Sequence, residues 1–126
     1  MLTPTACQKV LDKFPEAEIR VESSPVRVFR DQEYRDSGIP VVRDMQECEV
    51  LLGVKEVPIE ALIPGKKYFF FSHTIKKQPY NRELLRAILR KNIELYDHEV
   101  LTNPKGRRLV AFGRYAGIVG AYNGFR

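Results

Sequence analysis

A lysine, a glutamate and a histidine follow two apolar segments of the chain, and side chains of these types can move protons. Lys55 and Glu56 come directly after the segment CEVLLGV (48–54), and His73 follows YFFFS (68–72). Strands buried on both faces have this continuous apolar pattern, and open α/β sheets bind ligands at the carboxyl ends of such strands. We therefore expect Lys55, Glu56 and His73 to lie at one edge of a sheet.

The chemistry that these residues could perform is general acid–base catalysis. A lysine beside a histidine can exchange protons with a carbonyl, an imine or an amine, provided that burial or a nearby cation lowers the lysine pKa from its ordinary value of about 10.4. The adjacent Glu56 carboxylate would instead stabilise the protonated form of Lys55. The alternative is a histidine that bonds to the backbone and a solvated lysine, and spacing alone favours that alternative. His98 is expected at the surface, and Glu99 at a helix start or at the same edge.

The remaining pattern predicts the elements that position these residues. A helix is expected to start at Thr3 and Pro4 and to end before Pro15, a short polar helix to end at Gly38, and a helix with one apolar side to be capped by Asn81. A terminal helix is expected to pack closely through its glycines, which do not form a dinucleotide-binding fingerprint. Strands are predicted at 17–21, 25–29, 39–42, 48–54, 68–72, 93–96 and 109–112.

The alternation of strands and helices determines the predicted fold class. Such an order favours parallel strands joined by right-handed crossovers, with the sheet between two helix layers. A chain of 126 residues has the size of one domain. We therefore predict a single α/β domain over residues 1–126, with a mostly parallel sheet in an αβα sandwich.

The charge balance bears on the class of partner. The 21 basic and 16 acidic residues give a net charge of +5, which favours anionic partners. Eight basic residues between positions 66 and 91 could form one basic face: Lys66, Lys67, Lys76, Lys77, Arg82, Arg86, Arg90 and Lys91. The aromatic residues of this segment belong to an apolar strand rather than to a stacking surface, so a solvated helix face fits better than nucleic-acid binding. A non-catalytic binding module that uses the basic face for an anionic ligand or nucleic acid remains the alternative.

Several site and location classes receive no support from the sequence. Cys7 and Cys48 have no nearby Cys or His at zinc spacing, which predicts two reduced, buried thiols and no metal site. The amino end has no signal-peptide pattern. The apolar tract 109–125 is interrupted by Arg114 and Asn123 and is shorter than the roughly 20 residues that a membrane helix needs. We expect a cytoplasmic chain, or one in an organelle matrix, without membrane association.

Three motifs together resemble the amino-terminal domain of the alanine dehydrogenase and pyridine nucleotide transhydrogenase superfamily. They are GVKE (53–56), FFSHTIK (70–76) and GRRLVAFGRYAGIVG (106–120), and each alone is weak. The likeness runs in order over nearly the whole chain, from the LTP that begins at Leu2. Within the superfamily, the chain is most similar to saccharopine dehydrogenase and to the lysine–oxoglutarate reductase half of the bifunctional lysine-degrading enzyme.

The resemblance implies a function and a set of site residues. It implies an amino-acid dehydrogenase that transfers a hydride between a nicotinamide cofactor and a C–N centre, with saccharopine, or lysine plus 2-oxoglutarate, as substrate. It assigns catalytic acid–base roles to Lys55 and His73. The implied substrate-binding residues are Glu56, Lys76, Gln78 and Glu99.

The chain also departs from the pattern of the superfamily. Members have a first strand with a substrate-binding arginine before the LTP, and they continue into a Rossmann domain that binds NAD or NADP. Residues 1–126 contain neither feature. We therefore expect a Rossmann-like domain that lacks the first strand, is a fragment of a larger enzyme, is inactive alone, binds no cofactor itself, and tends to self-associate through an exposed edge.

Overall fold

The computed structural model of the chain describes residues 2–125. In chain order, its helices and strands are α1 (Pro4–Lys13), β1 (Val21–Glu22), α2 (Asp31–Asp36), β2 (Val41–Val42), β3 (Val50–Lys55), β4 (Lys67–Phe71), α3 (Arg82–Arg90), β5 (Glu94–Asp97) and α4 (Gly113–Gly124). Short 3₁₀ turns lie at Ile59–Ala61, Thr74–Lys76 and Pro79–Asn81.

All paired strands of the described residues run parallel, which confirms the predicted α/β class. β1 pairs with β2, and β4 lies between β3 and β5 in a three-stranded sheet. The strands therefore form two small sheets rather than one continuous sheet. Because the strands are parallel, the carboxyl ends of β3, β4 and β5 lie at the same edge of the sheet. Lys55 at the end of β3 and His73 after β4 lie at this edge.

Two hydrophobic clusters hold these sheets. The first contains Cys7, Tyr34 and Ile39 and lies against the β1–β2 sheet. The second, which we call the central cluster, packs one face of the three-stranded sheet against α3. Its buried members are Leu51, Leu62, Tyr68, Phe70, Leu84, Ala87, Ile88 and Ile93.

Local signals explain the helix boundaries. The Thr3 side chain accepts a hydrogen bond from the Ala6 amide at 3.1 Å, as predicted for the start of α1. Gly38 follows α2 with a φ of 73°, which glycine adopts without steric cost. Asn81 occupies the N-cap position of α3, as predicted, but its side chain makes no capping bond and donates to the His73 carbonyl instead.

Two predicted strands are absent from the described residues. Segment 25–29 consists of bends, because Val26 and Val28 are 90% and 91% exposed and have no sheet to pack on. Segment 109–112 is likewise irregular and follows an isolated antiparallel bridge between Thr102 and Arg108. An alternating pattern predicts a strand only where a partner strand is available.

The predicted close packing of the terminal helix is also wrong. A Cβ atom added at Gly113, Gly117 or Gly120 would meet nothing within 4 Å. The residues of α4 are exposed throughout.

No helix formed by residues 2–125 has both the length and the apolar character needed to cross a membrane.

The cysteines are both free thiols, as predicted. Cys7 is fully buried and Cys48 is half-buried. Burial raises the pKa of the Cys7 thiol, which keeps it protonated.

Candidate active site

The carboxyl edge of the three-stranded sheet carries residues from three consecutive strands. Lys55 is the last residue of β3 and lies opposite Phe71 in the register. His73 follows β4 by two residues, and Glu99 follows β5 by two residues. The chain thus brings together residues that are far apart in sequence because parallel neighbours end at one edge.

Three of the expected site residues form a contact cluster. His73 Nδ1 lies 3.2 Å from Glu99 Oε2, and Lys76 Nζ lies 3.4 Å from Glu99 Oε1. Lys76 Nζ is also 3.2 Å from His73 Nδ1. Arg108 Nη2 completes the group at 3.3 Å from Glu99 Oε1. We call His73, Lys76, Glu99 and Arg108 the His73 cluster.

The proton on His73 Nδ1 determines which contact of the cluster is a hydrogen bond. With a proton, Nδ1 donates to the Glu99 carboxylate; without one, it accepts from the Lys76 ammonium. One nitrogen cannot do both at once. The Glu99 carboxylate therefore favours the form of His73 that carries its proton on Nδ1.

The environment of Glu99 favours its charged form. The hydrogen bond from His73 lowers the pKa of Glu99 below its usual range, and the nearby Lys76 ammonium adds to this effect against the opposing effect of desolvation. The Glu99 side chain is only 9% exposed. The cluster thus contains a stable carboxylate that bridges three cationic or ionisable groups.

The backbone at His73 is held in an uncommon conformation. His73 has a φ of 55°, in the left-handed region that non-glycine residues seldom adopt. Its carbonyl accepts a hydrogen bond at 3.1 Å from the Asn81 side chain, which is buried. The preceding Ser72 hydroxyl is fully buried and donates to Asp97, while Thr74 bonds to Ser72 through its hydroxyl at 2.8 Å. These bonds fix the turn that presents the imidazole.

The other expected site residues make fewer contacts. Lys55 and Glu56 are exposed, and within residues 2–125 their side chains form no hydrogen bond or ion pair. Gln78 accepts a hydrogen bond from the Tyr80 hydroxyl at 2.6 Å. Gln78 also lines a cavity of about 430 Å³ with Thr74, Lys77, Pro79, Asn81, Arg82 and Leu85.

Sequence reasoning missed two residues at this edge. Arg108 contacts Glu99, and no spacing rule connects a turn residue after Gly106 with this carboxylate. The expectation that His98 lies at the surface is wrong, because its side chain packs against Phe71 and the residue is 3% exposed. The position of His98 directly after a buried strand end was the sequence signal for its burial.

Among the described residues, no group of three or more His, Cys, Asp or Glu is arranged to hold a metal ion.

Comparison with known proteins gives several related sequences. A relative from Arabidopsis thaliana, named alpha-aminoadipic semialdehyde synthase, is 38% identical over 123 residues, which cover 94% of this chain and 12% of the relative. The Bos taurus protein named mitochondrial alpha-aminoadipic semialdehyde synthase is 42% identical over 106 residues, or 84% of this chain and 11% of the relative. The Yarrowia lipolytica saccharopine dehydrogenase (NAD+, L-lysine-forming) is 38% identical over 125 residues, or 95% and 33%.

The chain thus spans at most 33% of the length of these relatives. A family profile described as "Alanine dehydrogenase/PNT, N-terminal domain" matches residues 1–119. This match covers nearly the whole chain and agrees with the parallel α/β architecture. The chain therefore belongs to the family of alanine dehydrogenase/PNT N-terminal domains.

Proposed function

We propose that the chain is the substrate-binding part of an NAD(P)-dependent amino-acid dehydrogenase of the saccharopine dehydrogenase and lysine–oxoglutarate reductase type. The observation that carries this proposal is the contact of His73 Nδ1 with Glu99 Oε2, 3.2 Å apart at the carboxyl edge of a parallel sheet. A histidine whose Nδ1 binds a carboxylate is a common arrangement for general base catalysis. The names of the relatives supply the substrate class.

In this proposal, His73 acts through its other ring nitrogen. When Nδ1 carries a proton it donates to Glu99, and within residues 2–125 Nε2 has no hydrogen-bond partner. When Nδ1 carries the proton, Nε2 has a free lone pair that accepts a proton from the substrate amine. Glu99 stabilises the imidazolium that results.

Lys55 would supply the second acid–base group at the same edge. Lys55 is exposed and has no ion-pair partner among the described residues, so its side chain is free to reach a substrate. Acting from its neutral form, Lys55 would take one proton from the water that adds to the substrate carbon and return it to the amine nitrogen as the C–N bond breaks, while the adjacent Glu56 would stabilise the transient ammonium. The proton that His73 takes from the substrate amine is the one released overall, so both groups return to their starting forms.

The polar residues around the turn would bind the substrate carboxylates. Lys76 lies within the His73 cluster, and Gln78 lines the neighbouring cavity. An ammonium and an amide suit a carboxylate because both donate hydrogen bonds to it. The proposed substrate, saccharopine or lysine with 2-oxoglutarate, carries carboxylates that these groups match.

The described residues do not fit a dinucleotide cofactor. Gly113, Gly117 and Gly120 lie inside the exposed helix α4, whereas a dinucleotide fingerprint places glycines in a tight turn between a strand and a helix. No step of the proposal therefore passes through the cofactor in this chain. In the proposal, NAD or NADP is bound by another part of the enzyme and supplies hydride chemistry.

The test compares two substitutions in the full-length protein. We expect His73→Gln and Lys55→Met each to lower kcat/KM for saccharopine oxidation by roughly 10²- to 10⁴-fold, the usual contribution of a general acid or base. The matched control is Lys105→Met, an exposed lysine of the 103–108 turn. Unchanged kinetics in both variants would refute the proposal. Salt-sensitive retention on a nucleic-acid column without amino-acid binding would favour the binding-module alternative.

A further inference from the structure

We propose that His98 is a positioning residue, which holds an irregularity in β3 and thereby places Lys55 on the face of the sheet that His73 occupies. The catalytic consequence of this placement rests on the proposed function. The placement itself is a statement about strand register and does not depend on that function. No role for His98 follows from the contacts of the His73 cluster.

The register between β3 and β4 contains one extra residue. Leu52 lies opposite Phe69, and Lys55 lies opposite Phe71, so β3 uses three steps where β4 uses two. Such a bulge moves the residues beyond it to the other face of the strand. Without the extra residue, Val54 would lie opposite Phe71 and Lys55 would point to the opposite face.

The imidazole of His98 forms a hydrogen bond with the backbone of this irregular segment. Its Nε2 lies 3.1 Å from the carbonyl oxygen of Gly53, the residue that follows Leu52. The His98 backbone amide donates to the Phe70 carbonyl at 3.1 Å, so the residue also continues the contact between β5 and β4. His98 therefore spans all three strands, from the end of β5 across β4 to the bulge in β3.

The chemistry of this contact identifies the ring nitrogen that carries the proton. A carbonyl oxygen only accepts hydrogen bonds, so His98 Nε2 must be the donor. His98 Nδ1 is buried and has no hydrogen-bond partner among the described residues. The ring thus uses a single donor, directed at β3, which fits a role in holding the strand rather than in proton transfer.

The ring contacts show which face of the sheet is involved. The His98 ring packs edge-on against Phe71 with centroids 5.2 Å apart, and the same Phe71 ring faces His73 at 6.3 Å. Paired residues of neighbouring strands share a face, so the register places Lys55 on the Phe71 side. The bulge therefore places the Lys55 side chain on the face that carries His73.

The first measurement uses the unmodified full-length protein. Nuclear magnetic resonance should show a His98 Nε2 proton that exchanges slowly with water, together with cross-strand contacts from Lys55 to Phe71. A rapidly exchanging Nε2 proton, or contacts from Val54 to Phe71, would overturn the inference. This measurement does not depend on any variant being folded.

A matched pair of variants separates the hydrogen bond from the packing of the ring. His98→Gln keeps an amide donor near the position of Nε2 but loses the ring, whereas His98→Phe keeps a ring on Phe71 but has no donor. We expect His98→Gln to retain the Lys55–Phe71 contacts and His98→Phe to lose them. The reverse result would show that His98 only packs, and it would refute the positioning role.

Kinetics connect the register to the proposed function. We expect His98→Phe to lower kcat by roughly 10²- to 10⁴-fold with little change in KM, because loss of the bulge would turn Lys55 to the other face of the strand, and His98→Gln to retain most of the rate. A register change without a change in kcat would refute the proposed role of Lys55 and leave the positioning inference standing. An unchanged register in His98→Phe would refute the positioning inference whatever the rate.

Discussion

The His73 imidazole and the Glu99 carboxylate meet where β4 and β5 end, with Nδ1 3.2 Å from Oε2. Each residue lies two positions beyond its strand, and the two strands are parallel neighbours. The Glu99 backbone amide donates to Asp97 at 2.8 Å, and Asp97 also accepts from Ser72. Hydrogen bonds through Asp97 thus connect the two strand ends, and they fix the distance between His73 and Glu99.

Replacing Glu99 should change how stability depends on pH. Because the folded state lowers the pKa of Glu99, this residue stabilises the protein above the ordinary carboxyl value of about 4.3, and the effect is lost as the pH falls through the lower folded value. We expect Glu99→Gln to be less stable than the parent protein at pH 7, with a difference that shrinks as the pH falls below about 4.3. Thermal unfolding across this range measures the difference. Glu60→Gln, at an exposed glutamate, should change stability at pH 7 by less than about 0.5 kcal/mol.

Asn81 should be sensitive to a nearly isosteric substitution. Its amide group donates to the His73 carbonyl, and an aspartate carboxylate cannot donate. We expect Asn81→Asp to lower the free energy of unfolding by about 1–3 kcal/mol at pH 7 and by less at pH 3, where the protonated acid regains a donor. Urea unfolding at both pH values measures the difference.

Asn103 offers the matched control for Asn81. Its side-chain oxygen accepts from the amides of Lys105 and Arg107, each at 3.0 Å, and aspartate keeps these acceptors. Asn103→Asp should therefore change stability by less than about 0.5 kcal/mol. Equal losses in the two variants would contradict the assigned direction of the Asn81 hydrogen bond.

Removing the Ser72 hydroxyl should destabilise the turn before His73. Ser72 is fully buried, and its hydroxyl donates to Asp97, which is 7% exposed. We expect Ser72→Ala to lower the free energy of unfolding by about 1–3 kcal/mol, since a buried carboxylate loses a donor. Chemical denaturation measures the change. Ser37→Ala removes a surface hydroxyl bonded to the Glu33 carbonyl and should cost much less, and a comparable loss would count against the buried network.

Phe70 should be the most costly of the core truncations. It is fully buried in the central cluster, on the strand that precedes His73. We expect Phe70→Ala to reduce the free energy of unfolding by about 3–5 kcal/mol through lost burial and the cavity left behind. Phe125→Ala, at a residue that is 93% exposed, should change it by less than about 0.5 kcal/mol. Similar denaturation midpoints for the two variants would show that Phe70 is not packed as described.

The parts of the fold with strong local signals were predictable. The Thr3–Pro4 start of α1, the apolar side of α3 and the aromatic run of β4 each follow from spacing and residue type. The shared edge of Lys55 and His73 follows from parallel order, because such strands end on the same side. For Glu99 the pattern favours a helix start, and only the resemblance to the superfamily assigns it to the site.

The features that depend on long-range pairing were not predictable. The alternating valines at 26 and 28 have a strand pattern, but no neighbouring strand is present to cover them. Gly53 is a sequence signal for an irregularity in β3, but it does not define the register with β4, and the burial of His98 depends on the position of Phe71. Single-sequence patterns describe one strand at a time, whereas register and burial belong to pairs of elements.

The separation of the two hydrophobic clusters has a consequence for variation within the family. The candidate residues Lys55, His73 and Glu99 all follow strands of the sheet that the central cluster supports, and the cluster of Cys7, Tyr34 and Ile39 carries none of them. Repacking of the cluster of Cys7, Tyr34 and Ile39 is therefore expected to leave the spacing of Lys55, His73 and Glu99 unchanged, whereas repacking of the central cluster would move the strands that these three residues follow.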